Sequence, residues 1–142
     1  MAGFAEQIAN FRKSTEARAS KKVRRIALEI HKQIVMRSPV DTGRFRANNQ
    51  VSINTLPVDA VLEVDKSGQA TLLHGQEAAA TYNLGDTIFI YNNVPYAFVL
   101  EFGRNDGSPG STKAPEGVFR ISFQHVISRL RSVASQGARE GL

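Results

Sequence analysis

Cysteine is absent from this chain of 142 residues, and so is tryptophan. The lack of cysteine excludes a disulfide scaffold, a thiolate metal site and a cysteine nucleophile, and it suits a reducing compartment. The chain also lacks the run of about 18 apolar residues that a membrane-spanning helix needs. Because the N-terminal sequence MAGFAEQIANFRKS has no apolar core of the length that a signal peptide requires, we expect a soluble protein that is neither exported nor bound to a membrane.

Motifs of enzymes and metal sites are missing as well. The sequence contains no GxSxG, GxxxxGK[ST] or GxGxxG pattern. His31, His74 and His125 lie far apart without the spacing of zinc ligands, which predicts three ordinary surface histidines. We therefore expect no enzyme, no cofactor and no metal ion.

Two polar features could carry chemistry but have simpler structural explanations. Glu101 stands in an apolar stretch, where burial could make it an acid of raised pKa. The interpretation that we favour is an outward-pointing carboxylate or a pair with Arg44 or Arg46. Residues 41–43, Asp-Thr-Gly, could form a ligand loop, although this order of residues is also ordinary turn chemistry.

The net charge of +5 is unevenly distributed. Residues 1–46 hold 11 basic and 4 acidic residues, residues 47–102 hold 1 and 6, and residues 103–142 hold 6 and 3. The excess of basic residues could bind nucleic acid phosphates. However, the acidic middle segment favours a protein with unlike surfaces that docks to neighbours through complementary charge.

The first quarter of the chain predicts a long helix. It has no Gly or Pro between residues 4 and 38, and Pro39 ends it. We expect a long helix over 15–38, preceded at 1–14 by an arm or a separate short helix, because Phe4, Ile8 and Phe11 are offset from the later apolar stripe. That stripe consists of Val23, Ile26, Ala27, Ile30 and Ile34.

Two further sets of residues on this helix suggest contacts with other molecules. Leu28 and Val35 form a second apolar line, which is a candidate subunit interface. The basic residues on the opposite side could face DNA or another partner, although the aromatic residues that stack on bases are not interleaved with them. They are Arg18, Lys21, Arg25 and Lys32.

Residues 48–102 are expected to form the sheet region of one domain. Residues 51–53 and 58–64 predict two short strands, and 87–91 (TIFIY) predict a strand covered on both faces. Residues 69–84 remain ambiguous, with Gly85 as a candidate helix cap. Residues 96–102 favour a helical turn.

The C-terminal part predicts a loop followed by a helix. Residues 103–115 are rich in Gly, Ser and Pro and are expected to form a flexible loop. An amphipathic helix should follow at 116–135, with Pro115 and Glu116 at its start, and its apolar stripe should cover the sheet. Residues 136–142 are expected to fray. The stripe consists of Phe119, Phe123, Val126, Leu130 and Val133.

Three segments, taken in order, resemble a known family. They are PVDTGRFR at 39–46, GDTIFIYNNVPYAFVLEFGR at 85–104 and APEGVFR at 114–120. Their order and spacing over roughly residues 20–135 resemble the tail-completion or neck proteins, which join head and tail in long-tailed bacteriophages. In that family a "PVDTGRLR"-like turn follows a long helix, a strand precedes a "YA..LEFG" segment, and an "AP.G..R" helix closes the chain.

The resemblance implies an α+β fold, with a small mainly antiparallel sheet flanked by the long first helix and the last helix. It implies a structural virion protein that forms a homo-oligomeric ring, a hexamer, at the head-to-tail junction, made in the host cytoplasm. Its partners would be head-connector and tail proteins, with genomic DNA passing through without sequence-specific contact. A tail-terminator ring, which has a related fold, is an alternative, and so is a DNA-binding protein.

The segment that departs from the family pattern is 104–113, which is longer than expected and suggests a partner-specific loop that orders on assembly. Two other sets of residues are candidates for the site. The turn after the first helix would be shaped by Asp41, Thr42 and Gly43. The approach to the loop would be fixed by Tyr96, Glu101 and Gly103. The candidate interface residues are Leu28, Val35, Asp41, Thr42, Gly43, Arg44, Tyr96, Glu101, Gly103, Arg104 and Lys113.

Overall fold

Five helices and a two-stranded antiparallel sheet make up the part of the chain that the structure describes, residues 3–140 of a computed structural model. This architecture confirms the predicted α+β class. In chain order the elements are α1 (Phe4–Arg37), α2 (Arg44–Ala47), β1 (Gln50–Ile53), α3 (Gln69–Ala79), β2 (Ile88–Tyr91), α4 (Ala97–Phe102) and α5 (Phe119–Glu140).

Helix α1 is continuous over 34 residues, so the predicted break between 1–14 and 15–38 is wrong. The offset of Phe4, Ile8 and Phe11 from the later stripe reflects a different side of the same helix, on which they are 79%, 52% and 69% exposed. The helix ends where expected. Ser38 donates its backbone N–H to Ile34 O at 3.0 Å, and Pro39 cannot continue the helix.

The sheet contains only β1 and β2 among the described residues, paired in the register Gln50↔Tyr91 to Ile53↔Ile88. The strand predicted at 58–64 is wrong, because asparagine side chains take its backbone hydrogen bonds. Asn48 bonds both the N–H and the carbonyl of Val61, at 2.8 and 3.1 Å. Strand β2 forms as predicted but is half-buried rather than covered on both faces.

The ambiguous segment 69–84 forms α3, which ends at Ala79. Gly85 is not its cap: it lies in the following turn, with φ +98°. Gly75, which would weaken an isolated helix, is required here because a Cβ atom would stand 2.5 Å from the His31 ring. The close approach of α3 to α1 therefore explains the glycine.

Helix α5 begins at Phe119, so Pro115 and Glu116 precede it instead of forming its first turn. It continues to Glu140, past the predicted end at 135, while residues 141–142 lie outside the described residues. The helix packs against α1 and does not cover the sheet as predicted. Of its stripe, Val126 is buried (3% exposed), whereas Val133 is 67% exposed.

The hydrophobic core lies where α1 meets the segments that connect the short elements. Helix α4 forms as predicted and packs its Leu100 against this core. Residues before and after α4 supply most of the remaining core, which ties both halves of the chain together. The buried members are Ile34, Phe45, Val94, Ala114 and Val118.

Candidate interaction surfaces

The three segments that carry the family resemblance meet in the folded chain. The Phe45 and Tyr96 rings lie 6.2 Å apart, centroid to centroid, and join the first segment to the second. Asn92 donates to Phe45 O at 2.9 Å, and Lys113 Nζ, just before the third segment, donates to Val40 O at 3.4 Å. Residues far apart in sequence therefore form one structural unit, with a shallow cavity of about 530 Å³ at its surface.

The turn at residues 41–43 is built around Gly43, which is buried with φ +92°. Its carbonyl accepts the N–H groups of Ala47 and Asp65, both at 3.0 Å, and a Cβ atom would stand 2.8 Å from the Asp65 backbone. Asp41 and Thr42 are exposed. The geometry thus gives Gly43 a structural role and leaves its two neighbours accessible to a partner.

Glu101 joins α4 to the start of α5. Its Oε2 accepts the N–H groups of Val118 and Phe119 at 2.7 and 2.9 Å, and its Oε1 accepts the N–H of Arg120 at 2.9 Å. These N–H groups belong to the first turn of a helix, which has no carbonyl partners for them within the helix. Glu101 therefore caps α5 from a distant part of the chain.

The ion-pair partner of Glu101 is Arg120, at 3.1 Å, and not Arg44 or Arg46 as predicted. Burial raises the pKa of the Glu101 carboxyl, but the hydrogen bonds from Arg120, Val118 and Phe119 lower it by more, so the pKa lies below its usual value. The group is an ionised carboxylate at neutral pH. The alternative of an acid with raised pKa is wrong.

Arg46, which sequence reasoning did not select as a site residue, holds the end of α1. Its guanidinium donates to Lys66 O at 2.6 Å, Ser38 O at 3.1 Å and Met36 O at 3.4 Å. Carbonyl groups at a helix C-terminus are a usual partner for such a cation. Arg44, the predicted candidate, is half-exposed beside the turn.

The segment predicted as a flexible loop, 103–115, folds back on α4 through a series of turns. Gly103 donates to Val99 O at 2.8 Å with φ +84°, and Arg104 donates to Ser108 O at 2.8 Å. Gly110 packs directly against the Val99 carbonyl. These contacts hold the loop backbone against α4, while Arg104 and Lys113 remain exposed.

The predicted interface line of Leu28 and Val35 is only partly available. Val35 is 0% exposed and packs against Gly68, which precedes α3. Its inclusion as an interface residue is wrong, because α3 and its flanking turn cover it within the same chain. Leu28 is half-buried and lines the gap between α1 and α3.

Basic side chains border the cavity between α1 and α3, which measures about 730 Å³. Lys21, Arg25 and Lys32 line it, as does Arg24, which donates to Tyr82 O at 3.1 Å. Arg18, the fourth predicted basic residue, is exposed one turn nearer the N-terminus. We call this surface the basic groove; one acidic residue, Glu29, also lines it.

His31 is buried between α1 and α3, so its prediction as a surface residue is wrong. Its Nε2 donates to Asn49 O at 2.7 Å. Burial lowers the pKa of His31, and the hydrogen bond opposes this only in part, so the ring is neutral at pH 7. Within residues 3–140 no cluster of three His, Asp or Glu side chains is placed to hold a metal ion.

A second large cavity, of about 780 Å³, is open and mostly apolar. It lies between α1, β2 and α5 and was not predicted, because the apolar stripe of the last helix was expected to cover the sheet. We call this surface the apolar groove; it is lined by Val23, Ile26, Ala27, Ile30, Ile34, Tyr82, Ile88, Ile90, Phe119 and Phe123, together with Asp86, Thr87 and Arg120.

None of the helices in the described part of the chain combines the length and apolar character needed to cross a membrane. Comparisons of the chain with models of known protein families, with curated proteins and with solved structures found no match.

Proposed function

We propose that the chain is a structural, non-enzymatic virion protein of a tailed bacteriophage, a neck or tail-completion protein that forms a ring at the head-to-tail junction. The observation that carries the proposal is the meeting of the three family-like segments around Phe45, Tyr96, Glu101 and Arg120. Contacts among the three segments are what we expect if these residues maintain one shared fold.

The surfaces of the chain support an assembly role. Large apolar side chains are exposed on α1, on α4 and on α5, for example Phe11 (69%), Phe98 (70%) and Val133 (67%). On α4 the exposed rings of Phe98 and Phe102 lie 4.7 Å apart, centroid to centroid, and contiguous exposed apolar side chains of this kind are typical of interfaces. In a ring, each subunit would meet its neighbour through two different patches, and the ring would present one face to the head connector and the other to the tail.

The test is made in the virus that encodes the chain. When the gene is inactivated, we expect filled heads and complete tails that do not join. Cryo-electron microscopy of wild-type particles should show the protein as a ring, expected to be a hexamer, between connector and tail. Joined particles without the protein would overturn the proposal, and a ring at the end of the tail tube alone would assign it to the tail-terminator class.

A second candidate function, DNA binding, rests on the basic groove between α1 and α3. Duplex DNA titrated at two salt concentrations separates the two functions, because phosphate contacts weaken steeply with salt. Tight, salt-sensitive binding that is lost in Lys21→Ala with Arg25→Ala would favour this candidate. Under the neck proposal we expect weak binding that is the same for every DNA sequence.

A further inference from the structure

Helices α1 and α3 run antiparallel, and the basic groove lies between them. Val35, near the end of α1, packs on Gly68, which precedes α3. Arg24, three turns earlier on α1, donates to Tyr82 O just after α3 ends. The groove measures about 730 Å³, and an amphipathic helix laid into such a groove is a recurring mode of protein recognition.

Three cations along the α1 side of the groove have no anionic partner. Lys21, Arg25 and Lys32 stand at positions i, i+4 and i+11, so they form one stripe of about 16 Å along the helix. All three are exposed, and no ion pair with them occurs within residues 3–140. Glu29 also lines the groove, but Arg129 of α5 binds its carboxylate at 3.2 Å. The stripe therefore presents positive charge that the described chain leaves unbalanced.

The floor of the groove is apolar. Leu28 lies within the basic stripe on α1, and Leu72, Ala79 and Ala80 line the α3 side. Leu28 and Leu72 are only half-buried, so part of each side chain still meets solvent. A ligand that fills the groove must therefore offer apolar groups as well as anionic ones.

This combination favours a protein ligand over nucleic acid. Phosphates would pair with the three cations but would leave the apolar floor uncovered. Single-stranded nucleic acid is usually held by stacking on aromatic rings, and none of the described residues that line the groove is aromatic. A helix with acidic residues along one edge and apolar residues beside them matches both the stripe and the floor.

We propose that the basic groove binds an acidic amphipathic helix of another protein. The carboxylates of that helix lie beside Lys21, Arg25 and Lys32, and its apolar side chains pack on Leu28 and Leu72. The inference goes beyond the neck function and does not depend on it, because it rests on the charge and shape of the groove alone. It assigns to a protein ligand the same groove on which the DNA-binding candidate rests.

A designed peptide tests the inference. The probe is a fluorescein-labelled peptide of about 18 residues whose helix is fixed by a side-chain cross-link, because a free helix of this length is marginal in water. It carries Glu at i, i+4, i+7 and i+11, which matches the stripe in either direction, and Leu on the adjacent face. Fluorescence anisotropy measures its binding to the full chain.

We expect saturable binding that weakens by about tenfold or more when the three groove cations are replaced together, in Lys21→Ala, Arg25→Ala, Lys32→Ala. The matched control removes the same charge from exposed residues outside the groove and should bind as the wild type does. It carries Lys13→Ala, Lys22→Ala and Arg131→Ala.

Two further probes decide whether the apolar floor takes part. A peptide with Ser in place of each Leu keeps the charge and should bind about tenfold more weakly, and duplex DNA should bind more weakly than the parent peptide at physiological salt. Absence of saturable binding, equal losses in the two triple variants, or equal affinity of the two peptides would overturn the inference. Tighter binding of DNA that is lost in the groove variant would overturn it in favour of the DNA-binding candidate. None of these results bears on whether virions contain the ring, so failure of this inference is distinct from failure of the neck function.

Discussion

Replacing Glu101 tests how the chain holds its last helix. The Glu101→Ala variant loses three hydrogen bonds from the first turn of α5 and the ion pair with Arg120. Loss of a helix cap costs about 0.5–2 kcal/mol, and hydrogen bonds to a charged group contribute about 1.5–3 kcal/mol each with partial recovery by water. Because the Glu101 side chain is only 12% exposed, we expect a total loss of about 3 kcal/mol in the free energy of unfolding.

Two conservative variants separate the contributions. Glu101→Gln keeps the shape and one acceptor oxygen but removes the charge, so we expect a loss of about 1–2 kcal/mol. Arg120→Ala leaves the backbone hydrogen bonds in place and removes a side chain that is 56% exposed, so its cost should stay below about 1 kcal/mol. Glu116→Gln, an exposed carboxylate beside the same helix start, is the control and should be neutral.

Urea unfolding followed by circular dichroism measures these differences if the slope with urea is unchanged. The midpoint of thermal unfolding of Glu101→Ala should fall by about 9 °C, since 1 kcal/mol corresponds to about 3 °C in a domain of this size. The capping role would be refuted if Glu101→Ala were neutral, or if Arg120→Ala cost as much as Glu101→Ala.

The pH dependence follows from the lowered pKa of Glu101. Because the unfolded chain binds the proton more readily, the stabilisation by this group is complete above the ordinary pKa of glutamate, about 4.3, and is lost as the pH falls toward the lower folded value. The stability difference between wild type and Glu101→Gln should therefore be constant near neutrality and shrink below about pH 4.

Three other perturbations have defined outcomes in the same assay. Gly75→Ala should destabilise by about 1–3 kcal/mol, because the new Cβ would stand 2.5 Å from the His31 ring, whereas Gly137→Ala, with open space around it, should stabilise by about 0.5–1 kcal/mol. Gly43→Ala should destabilise by more than about 2 kcal/mol, because its φ of +92° and the Asp65 backbone both exclude a side chain. Wild-type stability should fall as the pH drops below about 6.5, since the lowered pKa of His31 lets the unfolded chain take up the proton first; His31→Gln should lack this fall, and an unchanged profile would contradict it.

Local signals in the sequence predicted the elements that depend on local chemistry. The absence of Gly and Pro from residues 4–38 predicts α1, and the β-branched and aromatic run around Phe89 predicts β2. The strand at 58–64 was predicted for the same reason and is wrong, because Asn48, distant in sequence, competes for its backbone groups. Neither the alternation of apolar residues nor the strand propensity of residues 58–64 indicates that competition.

Prediction of the candidate site was limited in the same way, because the site depends on contacts between residues that are distant in sequence. The sequence indicated that Glu101 would be paired, but its partner, Arg120, depends on how α4 meets α5. Likewise, Val35 was predicted as an interface residue because the sequence left residues 69–84 ambiguous. The helix α3 that these residues form covers Val35 within the chain. Arg46 ends the PVDTGRFR segment, but nothing in the sequence indicated that it would bind the carbonyl groups at the end of α1. Asp65 lies in no motif, although the turn sequence from Asp65 to Gly68 is typical of a helix start.

The residues that hold the fold together differ from the residues that are exposed to partners. Gly43, Glu101 and Gly103, the most distinctive residues of the three family-like segments, are engaged by backbone contacts within the chain. These residues maintain the fold, so replacing any of them would first lower the stability of the chain. Under the proposed function, recognition of neighbours would come from surfaces that the described part of the fold leaves open, among them the exposed Phe4, Ile8 and Phe11 at the start of α1, the apolar groove and the exposed side of the 104–113 loop. The start of α1 and residues 105–113 lie outside the family-like segments, whereas residues of those segments, among them Ile88, Ile90 and Phe119, line part of the apolar groove. The start of α1 and the loop can therefore differ between proteins of one fold while the unit that presents them stays the same.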